Sequence, residues 1–444
     1  MKTSLIKISA LAIILSGSFA SAQENSVREY LAPEKYQRNV FEDPKVAAPE
    51  YDGIKVTVGG DFALQFQALE HSTSNTNLGM LTTAPTKPNT LRLLGKDVNL
   101  PTANLDVNAY LAKGVKLHMR TYLSSRHHNE AWVKGGFLQI DNLDFIQEGL
   151  LSDVMDNVRI KAGYDDVNYG DSHFRRTDNA YALGNAFVGN NIMDSFLTEP
   201  LLEAYGFMDN GLFVMGGITN GKLNQTVVNT ANSDNGPTIY GKLGFDKQVE
   251  SDLRVRLTGS VLKTNGLSTG SYIYGADRAG SRYYYVLTTE NDAVGTSSQS
   301  TGRFNPGFRE NLAFQINPFV KYQGLEFFGT FENVAGYKLV NGAKASTKGN
   351  YTQLAAELLY RFGSREQFYL GGKYNNVSGK DMDNAAQRKV DRFNIAGGWF
   401  LTPNILTKLE YVSQKYDESA AWGATSALKG GKFNGVMLEA TIGF

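Results

Sequence analysis

The sequence predicts an all-β fold, a transmembrane antiparallel β-barrel of about 16 strands with short periplasmic turns and long extracellular loops. Three observations support this: long segments with a side-chain period of two, connections that alternate between short and long, and an unusual composition. The 444 residues include 46 Gly, 23 Tyr and 25 Phe, with no Cys. The lack of Cys excludes a small disulfide-stapled fold. Because 44 Lys and Arg balance 44 Asp and Glu, nothing suggests a nucleic-acid partner.

The chain begins with a pattern that is typical of export. In MKTSLIKISALAIILSGSFASAQ, two lysines precede an apolar core, and the small residues Ala20-Ser21-Ala22 follow. This is the order of a secretory signal peptide, and the apolar run is shorter than the roughly 20 residues of a spanning helix. We therefore predict a signal peptide at residues 1–22, a polar periplasmic arm at 23–53 and a barrel at 54–444.

The clearest strand-like segment is IKVTVGGDFALQFQA, residues 54–68. Seven of its eight even positions are apolar, against one of its seven odd positions. Since side chains alternate between the two faces of a strand, the segment has one apolar and one mixed face. Its 15 residues exceed the usual strand of about 5 or 6 and suit a tilted membrane-spanning strand, which needs about 9 to 11.

The connections between such segments alternate in length. Short ones, with residues that favour tight hairpins, lie at Ala112–Gly114, Asp209–Gly211, Gln323–Gly324, Gly363–Arg365 and Thr402–Asn404. Long polar ones lie at His71–Pro101, Asp165–Pro200, Gly221–Pro237, Thr264–Glu310 and Glu418–Gly431. This alternation is typical of transmembrane barrels, and their even strand number places Tyr283–Leu287 in a loop. A short helix is an option at the corner Asp141–Val154.

Strand parity predicts which charges face the lumen. If the apolar face meets lipid, thirteen Lys and Arg residues in the strands point inward, against seven Asp and Glu. A basic surplus on the wall would concentrate anions in an aqueous channel; alternatively, the charges pair and only hydrate the wall. The pore-lining candidates are Lys116, Arg120, Arg159, Lys161, Arg254, Arg256, Glu357 and Arg361.

The last ten residues, GVMLEATIGF, alternate to the final Phe444. In a closed barrel the last strand pairs with the first, which explains so regular a strand. This strand resembles the signal that outer-membrane barrels present to their insertion machinery, and with about 16 strands the chain resembles the bacterial porins. VRIKAGYDD, residues 158–166, is similar to the corresponding point in porins of the phosphate-selective O and P type. The resemblance implies the outer membrane of a Gram-negative bacterium, contact with its lipid, and a homotrimer for which the patterning gives no contact surface.

The connection Asp165–Pro200 joins the fifth and sixth predicted strands. In the porins that the chain resembles, this loop folds inward and narrows the pore, so its charges are expected to set a transverse field. The alternative is an external loop whose charges face water. The constriction-loop candidates are Asp165, Asp166, Asp171, His173, Arg175, Arg176 and Asp178.

The function expected from this fold is passive diffusion of small hydrophilic solutes, with a lean to anions. We expect neither catalysis nor a cofactor nor a metal, because DDVNYGD lacks the Glu that closes a calcium loop and His127-His128 lack a second ligand pair. A sugar-stacking platform is disfavoured, because the lumen-parity aromatics Phe319, Phe328 and Tyr369 are scattered.

Three alternatives remain open. One is a structural or adhesin-type barrel with a blocked lumen, for which the arm could be the plug. A second is a barrel-embedded hydrolase, disfavoured because His118, the one histidine within a strand, points into the lumen. A soluble β-sandwich is disfavoured by strand length and by the alternation of loops.

Overall fold

The computed structural model describes residues 27–31, 38–99, 101–124, 131–176, 182–221, 236–266, 273–275, 283–295 and 301–444. Sixteen long antiparallel strands form one closed sheet, as predicted. The first eight are β1 Lys55–Thr73, β2 Thr102–Ala112, β3 Val115–Ser124, β4 Ala131–Ile140, β5 Val158–Asp166, β6 Thr198–Phe207, β7 Leu212–Thr219 and β8 Thr238–Glu250. The others are β9 Leu253–Thr264, β10 Glu310–Tyr322, β11 Leu325–Tyr337, β12 Gly349–Phe362, β13 Phe368–Lys380, β14 Arg388–Thr402, β15 Ile405–Tyr416 and β16 Gly431–Gly443. The predicted signal peptide lies outside the described residues.

The ring closes between its first and last strands. β1 pairs with β2 through its first half and with β16 from Asp61 opposite Gly443 to Thr73 opposite Gly431. Beyond the strand, Gly60 and Phe444 exchange two backbone hydrogen bonds of 3.0 and 3.1 Å. A closed sheet leaves no unpaired edge, so its backbone polar groups are satisfied within the membrane.

The two faces of the wall have opposite chemistry, as β12 illustrates. Leu354 and Leu358 point outward and are 50% and 54% exposed, whereas Gln353, Glu357 and Arg361 point inward and are buried. Apolar side chains alternate outward with polar side chains inward in this way along the barrel, which is the reverse of a water-soluble protein. Among the residues that the structure describes, no helix is long and apolar enough to cross a membrane.

The short connections lie at one end of the barrel and the long loops at the other, as predicted. Gly114 and Gly211 have φ angles of +69° and +93° in two of the tight turns, a conformation that glycine adopts without strain. Tyr283–Leu287 is no barrel strand, although Tyr283 forms an isolated bridge with Thr301. The minor elements are the helices α1 Val27–Leu31 and α2 Ser152–Met155, 3₁₀ turns at Ser172–Arg175 and Ala420–Trp422, and two-residue strands at Asp97–Val98, Leu339–Val340 and Ala343–Lys344.

The lumen contains more protein than the open aqueous channel that the sequence analysis predicted. Loops from the long-loop end fold inward and bring apolar side chains with them, among them Val188, Ile192 and Met193, which are fully buried. These residues pack in one cluster with wall residues that include Tyr351 and Val377. Alternation in the strands predicts the polar wall, but it contains no information about loops that enter the barrel.

Candidate pore constriction

The eight pore-lining candidates all lie on the lumen side of the wall, where Lys116, Lys161 and Arg254 are partly exposed and the other five are buried. Each cation lies beside a carboxylate. The pairs are Lys116–Asp43, Arg120–Asp106, Arg159–Asp141, Lys161–Asp165, Arg254–Asp246, Arg256–Asp171 and Arg361–Glu326, and Glu357 pairs with Lys373 and Arg175. Asp43, Asp141 and Asp171 lie outside the strands. These three carboxylates offset part of the basic surplus that strand parity alone suggests.

Asp171, in the loop between β5 and β6, occupies the centre of a buried charge cluster. Its two carboxylate oxygens accept hydrogen bonds from Arg256 Nε and Nη2 at 2.8 Å each. Thr258 Oγ1 at 2.8 Å and Lys242 Nζ at 3.1 Å also donate to this carboxylate. Burial alone would raise the pKa of Asp171, but Arg256 and Lys242 hold it below its ordinary value. The loop is therefore tied to β8 and β9 by charge-assisted hydrogen bonds.

Two arginines of the same loop, Arg175 and Arg176, form the next ion pairs along it. Arg175 donates to Glu357 at 3.2 Å and to the amide oxygen of Asn39 at 2.7 Å. Arg176 forms a bidentate pair with Asp194 at 2.7 and 2.9 Å, inside the same loop. The contact of Arg175 with Glu357 holds the loop against the wall, and the pair of Arg176 with Asp194 holds the loop in its own folded shape.

The second half of the loop is fixed to the opposite wall through its backbone. The amides of Val188, Ile192 and Met193 donate to Glu410, Asn375 and Gln353 at 2.7, 2.6 and 2.8 Å. Lys408 donates to the carbonyl of Ala182 at 2.7 Å. Polar wall residues of β12 to β15 thus act as partners for loop backbone, which would otherwise be buried without hydrogen bonds.

Asp165 and Asp166, which the sequence analysis placed in the loop, are the last two residues of β5, because they still pair with Glu199 and Thr198 of β6. Asp165 pairs with Lys161, and Asp166 lies 4.0 Å from Arg120. His173 is buried against Phe174, with ring centroids 3.9 Å apart. Burial, with Lys242 nearby, lowers the pKa of His173 to about 3, so this imidazole is neutral at physiological pH. Asp178 lies outside the described residues.

The arm enters the barrel from the short-turn end, which the sequence left open. Phe41 packs edge-on against Phe174 and Phe319, at centroid distances of 5.9 and 5.4 Å. The lumen-parity aromatics Phe319 and Phe328 thus hold the arm in one cluster with Phe41. The sequence signal for this docking of the arm is Phe-Glu-Asp at residues 41–43. It places an aromatic residue and two acidic residues in a segment that we otherwise interpreted only as polar.

Glu42 adds the arm to the charge cluster around Asp171. Its carboxylate accepts from Lys242 at 2.8 Å and from Arg256 at 2.5 Å, and it is almost fully buried. Arm and loop therefore share the same two cations. Nearer the short turns, Asp141 accepts hydrogen bonds from Tyr30 at 2.7 Å and from Lys45 at 3.2 Å.

A second inward loop, between β9 and β10, narrows the lumen from the long-loop end. Tyr274 donates to Glu332 at 2.9 Å, and Tyr283 donates to Glu410 at 2.7 Å. The carbonyl of Gly302 accepts from Arg392. This loop also contacts the first one, since Phe304 N donates to the carbonyl of Ile192 at 2.8 Å.

One wall of the lumen borders a cavity at the level of the constriction. This cavity, of about 140 Å³, is bounded by the inner faces of β2 to β5, by the arm at Val40–Asp43 and by loop residues including His173 and Phe174. We name it the wall cavity. Larger open cavities of about 490 and 480 Å³ lie at the short-turn end, and Arg38 and Asn39 of the arm line both. The wall cavity is where the loop and the wall face one another across open space.

No protein-family model and no curated protein matches the chain by sequence. Solved structures match by fold. The outer membrane channel DcaP of Acinetobacter baumannii is 12% identical and covers 90% of this chain and 100% of its own, with a TM-score of 0.53. An anion-selective porin from Comamonas acidovorans is 13% identical and covers 88% of this chain and 100% of its own, with a TM-score of 0.50. OmpT, an outer membrane protein of Vibrio cholerae in its trimer form, is 11% identical, with coverage of 88% and 100% and a TM-score of 0.50.

At these identities the likeness concerns the fold alone, which is the barrel fold of outer-membrane porins and channels. The structure itself adds the physical reason for the location. A closed antiparallel barrel of 16 strands with an apolar outer face and a polar inner face is a bacterial outer-membrane barrel.

Proposed function

We propose that the protein is a channel for passive diffusion of small hydrophilic solutes, and that solutes pass along the inner face of β2 to β5. The observation that carries this proposal is the wall cavity. The loop between β5 and β6 is fixed to the walls formed by β8, β9 and β12 to β15. The cavity lies on the other side, against β2 to β5. A route past the constriction is therefore expected along this side of the barrel.

The anion preference is expected to be weak. Lys116 and Lys161 line the wall cavity, but Asp43, Asp165 and Asp166 line it as well. Cations that face carboxylates across a narrow water-filled space attract anions less than cations alone, because the two fields oppose one another.

Reconstitution in a planar bilayer tests the channel. We expect discrete conductance steps, and in a tenfold salt gradient a reversal potential below half of the roughly 59 mV of a perfectly selective monovalent channel. Replacing Lys116 and Lys161 with Gln should shift the reversal potential toward the value of a cation-selective channel. The control is Lys415→Gln, because Lys415 is an exposed residue on the outer face of β15. No conductance from correctly folded protein would contradict the proposal.

Phosphate selectivity, which the resemblance of residues 158–166 implies, is not part of our proposal. It would require cations that present their charge to the solute. Arg159 instead donates to Asp141 at 2.8 Å, and Lys161 pairs with Asp165. The direct test of phosphate selectivity is to repeat the bilayer recording with phosphate as the only anion in solution.

The second candidate is a barrel with a blocked lumen whose loops bind a partner. The arm and the two inward loops favour it, because they meet inside the barrel and bury apolar side chains there. A blocked barrel would fold and insert but conduct no ions, so the bilayer experiment separates the two candidates.

We further infer that the protein performs no catalysis. A hydrolase of this fold would need a base beside a nucleophile at the lipid-facing rim. His118 lies in the lumen with Nδ1 2.7 Å from Asn108 Oδ1. Both ring nitrogens of His71 contact backbone, the carbonyl of Arg92 and the amide of Leu287. Absence of ester and peptide hydrolysis by the purified protein is the expected result.

The homotrimer also remains a proposal. The Vibrio cholerae protein of similar fold is described in a trimer form. Chemical cross-linking of the protein in native membranes is expected to give a ladder that ends at three subunits. A ladder that ends at one or two would contradict a trimer.

A further inference from the structure

The charges that line the wall cavity are balanced in number. Four cationic side chains and four carboxylates contribute to its lining. The cations are Lys116, Arg120, Arg159 and Lys161, and the carboxylates are Glu42, Asp43, Asp165 and Asp166. A solute with a single charge is attracted by one set and repelled by the other. A solute with both charges can be attracted by both sets at once.

Two buried polar atoms in the lining have no hydrogen-bond partner among the residues that the structure describes. They are Asn108 Nδ2 and His173 Nδ1. The two residues are 5% and 3% exposed, and both line the wall cavity. Buried polar groups are normally paired, so a ligand in the cavity can supply the partners that these two atoms lack.

The orientation of Asn108 is set by its neighbour. Its amide oxygen lies 2.7 Å from His118 Nδ1 on the adjacent strand, which leaves the amide nitrogen as a donor. An amide N–H in a cavity that Lys116 also lines suits a carboxylate group. His173 comes from the loop and not from the wall, so the two unpartnered atoms belong to different segments that meet at the cavity.

The size of the cavity limits its occupant. Its volume is about 140 Å³, and a protein cavity of about 150 Å³ accommodates benzene, a molecule with six non-hydrogen atoms. The rings of Phe137 and Phe174 provide apolar lining for a short aliphatic portion. Alanine also has six non-hydrogen atoms.

We propose that the wall cavity is a binding site for small zwitterions that carry an ammonium and a carboxylate group, such as short aliphatic amino acids. The carboxylate would accept from Asn108 Nδ2 and face Lys116, while the ammonium would face Asp166, since Lys161 and Asp165 pair with one another. This inference rests on the proposed function, because it names the solute class that the channel would retain as it passes. A weak site inside a pore raises local occupancy without preventing release.

The test compares alanine with two singly charged analogues, propionate, which lacks the ammonium group, and ethylammonium, which lacks the carboxylate group. Alanine, propionate and ethylammonium are added at constant ionic strength to single channels of the full-length mature protein in planar bilayers. We expect alanine to reduce the current in a saturable manner, with a half-effect concentration at least tenfold lower than for the two singly charged analogues. Equal effects of all three solutes would overturn the proposal.

Asn108→Asp tests the assigned donor. The variant keeps an oxygen toward His118 but replaces the amide nitrogen with a second carboxylate oxygen, which repels the solute carboxylate. We expect the half-effect concentration of alanine to rise at least fivefold relative to the wild-type channel. The control is Asn333→Asp, because Asn333 lies on the outer face of β11 and bonds with Asn350 and Thr352. An unchanged alanine effect in Asn108→Asp would overturn the site.

Equilibrium dialysis separates this proposal from the proposed function. Radiolabelled alanine is dialysed against the protein in detergent, wild type and Asn108→Asp, without any need for current. Binding that is lost in the variant supports the site even if the barrel conducts nothing, in which case only the channel proposal fails. Conductance without alanine binding overturns the site and leaves the channel proposal intact.

Discussion

Glu42→Gln should weaken the docking of the arm in the lumen. Glu42 is the arm residue that joins the cluster around Asp171, through contacts of 2.8 Å to Lys242 and 2.5 Å to Arg256. Glutamine has nearly the same shape and retains hydrogen-bonding capacity, but it lacks the negative charge. The cations keep Asp171 as a partner, so the substitution weakens arm docking more than it disturbs the wall.

The size of the effect follows from the burial of these groups. Removing one partner of a buried ion pair costs about 3–5 kcal/mol. Because glutamine retains hydrogen bonds and Asp171 remains, we take the lower end, about 3 kcal/mol. This corresponds to a rise of roughly 150-fold in the ratio of released to docked arm.

Single-channel recording measures the result directly. Arm release should enlarge the passage at the short-turn end, where the arm lines the two larger cavities, and raise the mean conductance. Limited proteolysis should cut the released arm faster. The control is Glu50→Gln in the same arm, because the Glu50 side chain is 81% exposed and its pair with Lys113 is a surface contact. Equal conductance and equal cleavage in wild type and Glu42→Gln would refute arm docking through this carboxylate.

Two further predictions concern pH and the membrane. Burial by itself would raise the pKa of Glu42, but Arg256 and Lys242 lower it to about 2. Arm docking should therefore be at full strength above the ordinary glutamate value of 4.5 and weaken as the pH falls toward 2, which conductance at pH 6, 4 and 3 can follow. Leu354→Arg, on the outer face midway along β12, should destabilise the folded barrel in lipid vesicles by about 2–4 kcal/mol, against about 0–1 kcal/mol for Tyr360→Arg near the strand end. Equal losses of unfolding free energy for the two variants in urea titrations would contradict the conclusion that lipid surrounds this face.

Local patterns predicted most of the fold. Alternation over residues 54–68 placed Asp61 in the lumen and Phe62 outside, and the structure agrees. The same parity rule assigned Arg256 and Arg361 to the inner face, where both are buried. The side-chain period of two and the residue types of tight turns are properties of residues that are neighbours in sequence. Both can therefore be recognised without knowledge of the tertiary structure.

The charge balance of the pore could not be predicted in this way. Parity states which face a side chain occupies but not which residue lies opposite it in a folded barrel. Asp43 and Asp171 are in an arm and a loop, where no periodicity applies, and they lie within 3.5 Å of Lys116 and Arg256. A count limited to strands therefore overestimated the net positive charge of the wall.

The shared cluster makes the arm and the constriction loop depend on one another. Lys242 and Arg256 each contact both Glu42 of the arm and Asp171 of the loop. Arg256 also contacts Asp246, but Glu42 and Asp171 are the two acids that both cations share, and each acid keeps the cations in place for the other. If one acid leaves, the remaining acid faces two cations that are freer to move. Arm docking and loop position are thus coupled through the same side chains, so a change at the short-turn end is expected to reach the wall cavity, where Glu42 and His173 both contribute to the lining.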